Sequence, residues 1–302
     1  MNAWRRLVMS RCRNHLLSVA LLPAVVATAG AADKVLLEKT SKYNTIIVSE
    51  DDAGLRTLRF EEYGARQSVA KVGDPNHLEL VYSHGMLAGL AFIDQPNRVL
   101  VVGLGGGTIP TFLRAHFPDA TIDAVEIDPD VVDVAKEYFG FREDAKMHAY
   151  VEDGRTFIEK RRDLYDLIYL DAYNADSIPY HLATREFLLA ARQALTKNGV
   201  VAANLWSSSW NPSYPSMVRT YVDVFETTYL LDVPSVSNKI LFASPSKEKI
   251  NRRELAKQAS RISTRQGFRF DLGSLIEQGL RSTSTESARG HVLLDKTPNA
   301  DK

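Results

Sequence analysis

Between Arg98 and Trp206 five short apolar runs, VLVVGLG, TIDAVEID, KMHAYVED, YDLIYLD and GVVAANLW, alternate with stretches of helical spacing such as TIPTFLRAHF, PDVVDVAKEYF and TREFLLAARQAL. A pattern that switches between near-continuous apolar runs and a 3.6-residue period leaves few solutions. Strands buried on both faces pair in parallel, and the helices between them carry the chain back across the sheet. The fold class is therefore α/β, a doubly wound sheet, and its ligand edge lies at the carboxyl ends of the strands.

The flanks follow different rules. VLLEKT, YNTIIVSE, LRTLRFEE and RQSVAKV alternate apolar and polar residues, with SEDDAG as a turn between two of them. They predict a small antiparallel β domain. Asn76 to Leu90 has apolar residues near helical spacing and predicts a linking helix. Late in the chain YLLDV and KILFAS predict an edge hairpin, residues 247–266 a polar helix, and the tail after Ser282 a loop. The division expected is 33–92 for the β domain with its helix, 93–282 for the doubly wound domain and 283–302 for the tail.

Residues 1–32 stand apart. They contain Arg5, Arg6, Arg11 and Arg13, no acid, and then the uncharged stretch Leu16 to Ala32. Ala29 and Ala31 supply an A-x-A pattern, and Pro23 interrupts a stretch already short for a membrane span. The segment reads as a cleaved signal peptide, with an uncleaved N-terminal anchor as the alternative. Location is then exported or periplasmic, or cytoplasmic if the leader does not function, and membrane contact is confined to the leader.

Composition removes other classes. Lys+Arg and Asp+Glu both number 37, which argues against a nucleic-acid partner. The single Cys, Cys12, excludes a disulfide framework, a Cys-based zinc site and an iron–sulfur cluster. No His spacing resembles a metal site, so no metal is expected; His84, His148 and His181 read as surface or capping residues. No G-x-S-x-G elbow is present, which argues against a nucleophilic hydrolase. Lys160-Arg161-Arg162 reads as a solvated helix end whose charge complements the dipole.

The turn Gly103-Leu104-Gly105-Gly106-Gly107-Thr108 follows the first of the five runs. Its glycines let the backbone approach a ligand at a helix N-terminus, or simply make a tight turn. Glu126 ends the second run, 21 residues after Gly105, a spacing that suits a carboxylate accepting both ribose hydroxyls. A nicotinamide dehydrogenase shares these two features, although Thr108 occupies the third glycine of its fingerprint. Asp153-Gly154 follows the third run, where a carboxylate can accept from an adenine amino group, and Asp171 ends the fourth. One strand-end Asp is usually a helix cap; three in succession outline an adenosyl pocket.

In that order, VLVVGLGGGT, AVEID, VEDGRTF and YDLIYLDAY resemble the spermidine synthase (polyamine aminopropyltransferase) family over about residues 40–245. The resemblance implies a Rossmann-like S-adenosylmethionine-dependent methyltransferase fold preceded by a small β domain. It implies that Gly103, Gly105, Gly106 and Gly107 hold the methionine-derived tail, Glu126 the ribose, and Asp153 with Gly154 the adenine. Gln67 matches a glutamine lining the donor pocket. Asp171 matches the catalytic Asp, which orients and deprotonates the attacking amine. The co-substrate implied is decarboxylated S-adenosylmethionine, the partner a small amine, and the assembly a homo-oligomer.

Departures from the family pattern concern the amine sites. Its glycine-loop Asp is Thr108 here, and the second Asp of its D-S-S-D-P motif is Asn174, while Pro179, Leu182 and Phe187 stay in register. Leu78 and Tyr82 both compete for its Tyr position. Tyr82, Tyr173, Asn174 and Asp176 are the expected acceptor-side residues, with Trp206 and Trp210 as pocket wall or ordinary packing. Each charge-assisted contact is worth roughly 1–3 kcal/mol, so losing two acids weakens the hold on a diamine and makes intact S-adenosylmethionine a plausible donor. Three readings follow: aminopropyl transfer, methyl transfer on the same fold, and adenosyl or amine binding without turnover.

Overall fold

The computed structural model describes residues 33–174, 177–285 and 288–295. The expected leader, Asp176 and residues 296–302 lie outside the described residues. Alternation of apolar positions builds a four-stranded antiparallel sheet from β1 (Lys34–Thr40), β2 (Thr45–Glu50), β3 (Leu55–Arg59) and β4 (Arg66–Lys71), adjacent in chain order. Ile46, Val48, Leu58, Phe60 and Ala70 form its apolar side. Two short helices follow, α1 (Val81–Leu87) and α2 (Leu90–Ile93). The helix expected from Asn76 thus starts later, because Asp74 and Pro75 enter a turn closed by the His77 amide donating to the Asp74 carbonyl.

The second sheet is threaded as the apolar runs require. In chain order come β5 (Arg98–Val102), α3 (Thr108–His116), β6 (Thr121–Glu126), α4 (Pro129–Tyr138), β7 (Met147–Val151), α5 (Gly154–Glu159) and β8 (Tyr165–Leu170). Then come α6 (Arg185–Ala194), β9 (Leu195–Trp206), α7 (Tyr214–Val224), β10 (Thr227–Asp232) and β11 (Asn238–Ser244). Helices α8 (Arg252–Gln266) and α9 (Leu272–Gly279) and strand β12 (Leu280–Thr283) complete it. The strand order is β12-β10-β11-β9-β8-β5-β6-β7. Neighbours from β9 to β7 run parallel. From β5 the chain winds outward through β6 and β7, then returns to β8 on the other side, which opens a crevice between β5 and β8.

Two late expectations change. β10 and β11 do form an antiparallel hairpin, but it is interior: β11 pairs with β9, and β12 covers the other side of β10. The sequence LRST of β12 is too short and polar to announce a strand, and the paired glycines of α9 mask its helical period.

Side-chain alternation decides which residues face which layer. Val99, Val101, Ile122, Ala124, Leu167, Tyr169, Val200 and Ala202 point to the layer of α1, α2, α3, α8 and α9. Leu100, Val102, Val125, Ile168, Val201 and Ala203 point to α5, α6 and α7. Continuing the first set past the strand ends brings Gly103, Glu126, Asp171 and Asn204 to the α1 side. The β domain packs beside them, with its apolar face against Val131, Val134 and Phe139.

Local chemistry starts the helices where the acids lie. Asp128 caps α4 by accepting from the Asp130 amide, with Pro129 just inside the helix, and Asp153 caps α5 by accepting from the Thr156 amide. Thr184 caps α6.

Candidate active site

A cavity of about 810 Å³ opens at the carboxyl edge of the main sheet, between β4, α1 and the ends of β5, β6, β8 and β9. Gln67, Tyr82, Gly103, Gly105, Glu126, Asp153, Gly154, Asp171, Tyr173 and Asn174 all line it. One wall therefore gathers residues 67 to 174 from six elements. Asp176 lies outside the described residues.

The glycine turn divides into two jobs. Gly103 has φ of +93°, and a Cβ there would stand 2.4 Å from the Asp171 carbonyl oxygen, so a side chain would push β5 and β8 apart. Gly106 and Gly107, expected to cradle a ligand, are instead buried behind the loop. A Cβ on Gly106 would meet Phe139 and Ser68 at 2.8 Å, and one on Gly107 would meet Phe141 at 2.9 Å. The Gly106 amide donates to Ser68 Oγ at 2.9 Å, which ties the loop to β4. Ser68 carried no signal in the sequence, since it is one small polar residue in an alternating strand.

Glu126 braces the same loop. Its Oε2 accepts from the Leu104 amide at 3.0 Å and its Oε1 from the Asp128 amide at 3.1 Å. Burial raises its pKa, while these backbone donors work in the opposite direction. Each carboxylate oxygen keeps lone-pair capacity for a ligand hydroxyl. Asp153 is a helix cap as well as a cavity residue. Its Oδ2 lies 2.8 Å from His181 Nε2, so His181, expected at the surface or as a cap, is exposed but stands on the cavity wall. Burial opposes ionisation of Asp153, yet Thr156 and His181 outweigh it and lower the pKa.

Asp171 is held differently. The Tyr82 hydroxyl donates to Oδ2 at 3.0 Å, and Asn204 Nδ2 donates to Oδ1 at 2.9 Å. Burial pushes the carboxyl up to about 6, against the pull of those two donors. Burial and the Asp171 charge likewise raise the Tyr82 and Tyr173 hydroxyls well above their ordinary value. Tyr82 thus takes the position for which Leu78 competed, and Leu78 is buried in the core. Tyr173 donates to the Asn204 main-chain oxygen at 2.9 Å and stacks on Trp206, with ring centroids 5.3 Å apart. Trp206 and Trp210 both line the cavity, and Trp210 is 67% exposed at its mouth.

Like Ser68, Asn204 and Asn238 are site residues that sequence reasoning missed. Asn204 had a faint signal, as the sole polar side chain in GVVAANLW. Among the described residues the cavity's carboxylates are Glu79, Glu126, Asp153 and Asp171. Glu79 faces His77 at 3.0 Å, Asp153 faces His181, and Glu126 holds backbone amides. Asp171 is the one held solely by neutral side-chain donors, an arrangement suited to accepting a proton from a cationic or reacting amine.

The model of the spermine/spermidine synthase domain matches residues 80–253. This chain belongs to the spermine/spermidine synthase family. Within the family, the polyamine aminopropyltransferase of Vibrio vulnificus (strain CMCP6) is 34% identical over 236 residues, covering 76% of this chain and 78% of the relative. The solved structure of a probable spermidine synthase from Corynebacterium glutamicum ATCC 13032 shares the fold, with a TM-score of 0.72 at 19% identity, covering 88% of this chain and 98% of that one. Human methyltransferase-like protein 13 in complex with SAH is also similar, at 31% identity and a TM-score of 0.56, over 62% of this chain and 92% of that one. The doubly wound fold with its small antiparallel sheet is thus the family's S-adenosylmethionine-dependent methyltransferase fold, as the motifs implied.

Proposed function

We propose that this chain transfers an aminopropyl group from decarboxylated S-adenosylmethionine to a small amine. The observation that carries this reading is Asp171, a carboxylate on the cavity wall held by Tyr82 and Asn204, with no cationic side chain bonded to it among the described residues. Relatives named polyamine aminopropyltransferase support it. The residues fit an adenosyl donor: Glu126 for the ribose hydroxyls, the Asp153 end of α5 for the base, and the Gly103–Gly105 turn with Gln67 for the tail.

In the reaction the amine nitrogen attacks the carbon bonded to the sulfonium. The N–C bond forms as the C–S bond breaks, and the electron pair leaves with sulfur as methylthioadenosine. The surplus proton on nitrogen passes to Asp171. Sulfonium is already a good leaving group, so the chain's contribution is orientation and proton transfer. An amine with a pKa of about 10 arrives protonated, so its first proton leaves to solvent before attack, and Asp171, ionised near neutral pH, takes only the proton that becomes surplus as the N–C bond forms. The rings of Tyr173, Trp206 and Trp210 offer faces to a cationic chain.

Thr108 favours a second reading, methyl transfer from intact S-adenosylmethionine. It opens α3 on the cavity wall where the family carries an Asp, and removes a charge that would oppose a donor carboxylate. The likeness to human methyltransferase-like protein 13 points the same way. Product analysis with both donors and a panel of amines decides. Methylthioadenosine is the expected product, S-adenosylhomocysteine would establish the second reading, and tight binding with neither product would leave a non-catalytic binding protein.

Residues 1–32 are proposed as an export leader, on their basic start and A-x-A pattern. Among the described residues no helix is long and apolar enough to cross a membrane. Export would separate the protein from cytoplasmic adenosyl donors, so fractionation of cells expressing the full chain bears directly on the choice between turnover and binding.

A further inference from the structure

Asn204 is 4% exposed at the carboxyl end of β9, and all of its polar side-chain atoms are engaged. Its Nδ2 donates to Asp171 Oδ1 at 2.9 Å, and its Oδ1 accepts from Asn238 Nδ2 at 2.9 Å. Its main-chain oxygen takes the Tyr173 hydroxyl. In the antiparallel β9–β11 register Asn204 lies opposite Ile240 and Asn238 opposite Trp206, so the two amides are diagonal neighbours on one sheet face.

The order of donors along this chain is forced. An ionised carboxylate only accepts, so Asn204 has to turn its Nδ2 toward Asp171. Its oxygen then faces β11, and Asn238 has to offer its own Nδ2. Without Asn238, the Asn204 amide could turn over and set oxygen against oxygen.

We propose that Asn204 and Asn238 are positioning residues, a directional pair of amides that holds the Asp171 carboxylate in one orientation as the proton acceptor. The inference rests on the reading that Asp171 takes a proton from the acceptor amine. Asn204 acts through Asp171, and Asn238 acts through Asn204. Among the described residues, the titratable groups facing Asp171 are Tyr82 from α1 and Tyr173 from its own loop. β9 and β11 present the two uncharged amides, and β5 approaches with the main chain of Gly103. No Lys, Arg or His bonds Asp171 among the described residues. On the β9 side, the amides are therefore the means of controlling it.

The test compares Asn238→Ala with Asn238→Asp in the full chain. Asn238→Ala releases Asn204. Asn238→Asp supplies only an acceptor, draws the Asn204 Nδ2 toward β11 and turns its oxygen on Asp171. The expected result is a kcat lower by about threefold to tenfold in Asn238→Ala, and by about tenfold to hundredfold in Asn238→Asp. Donor KM should stay within about twofold, and the acid limb of the kcat profile should move to higher pH in both variants. Asp171 is also titrated by carbon-13 NMR in the ligand-free protein, a readout independent of which product forms. Its midpoint should rise in Asn238→Ala, where no new charge is present. An unmoved midpoint in that variant overturns the relay. A raised midpoint in a protein that releases no methylthioadenosine upholds the relay and removes the aminopropyl reading instead.

Discussion

The Tyr82 hydroxyl and the Asp171 carboxylate meet at 3.0 Å although 89 residues separate them in the chain. That bond joins the linking helix α1 to the end of β8, so the segment between the two sheets helps orient the proton acceptor. Tyr82 donates while Asp171 is ionised, and its own raised pKa keeps it a donor across the working pH range.

With Asp171 pushed up to about 6, kcat should rise as pH increases through that value, because the ionised form accepts the proton. The sign for stability is the reverse. A native pKa above the ordinary 3.8 means that the folded chain binds this proton more tightly than the unfolded chain, so stability falls as pH rises from about 4 to 6. Asp171→Asn should abolish turnover and raise stability at pH 7 by up to about 3 kcal/mol. Rate profiles, denaturant titrations and donor calorimetry check this, and donor affinity should change by less than about threefold.

Glu126→Gln should act on binding. One amide oxygen cannot serve the Leu104 and Asp128 amides and a ribose together. Donor dissociation constants should rise about tenfold to hundredfold by calorimetry, with kcat at saturating donor much less affected.

Thr108→Asp adds a carboxylate at the first turn of α3, beside the proposed donor tail. It should shift the ratio of dissociation constants toward the decarboxylated donor by about tenfold or more, as one charge-assisted contact is worth roughly 1.5–3 kcal/mol. An unchanged ratio would show that Thr108 does not govern donor choice.

Beyond β12, the described residues 288–295 are loop-like but docked. Leu293 is 5% exposed, its amide donates to Thr220 Oγ1 at 2.9 Å, and its oxygen accepts from the Arg185 amide at 2.7 Å. Leu293→Ala should cost about 2–4 kcal/mol in a denaturant titration. The Arg155–Asp295 fork beside it is partly solvated, so Asp295→Ala should cost no more than about 1 kcal/mol.

Much of the site was legible because it is local. A strand followed by glycines and a helix places Gly103 at a turn whatever surrounds it, and Glu126, Asp153 and Asp171 are each an acid at or near the end of an apolar run. The choice between Leu78 and Tyr82 was not local. Four residues apart, they would share a face of a helix begun at Asn76. The helix begins at Val81, which leaves Leu78 in the core and Tyr82 at Asp171.

From the sequence alone come the alternation of strands and helices, the ligand edge and the acids along it, since periodicity and strand-end chemistry depend only on near neighbours. Tertiary structure alone decided which neutral groups hold Asp171. Asn204 and Asn238 are 34 residues apart, and only the antiparallel insertion of β11 beside β9, with β12 closing the far edge, sets their amides side by side. Pairing register is a long-range property: a slip of one residue would turn Asn238 to the opposite face of the sheet.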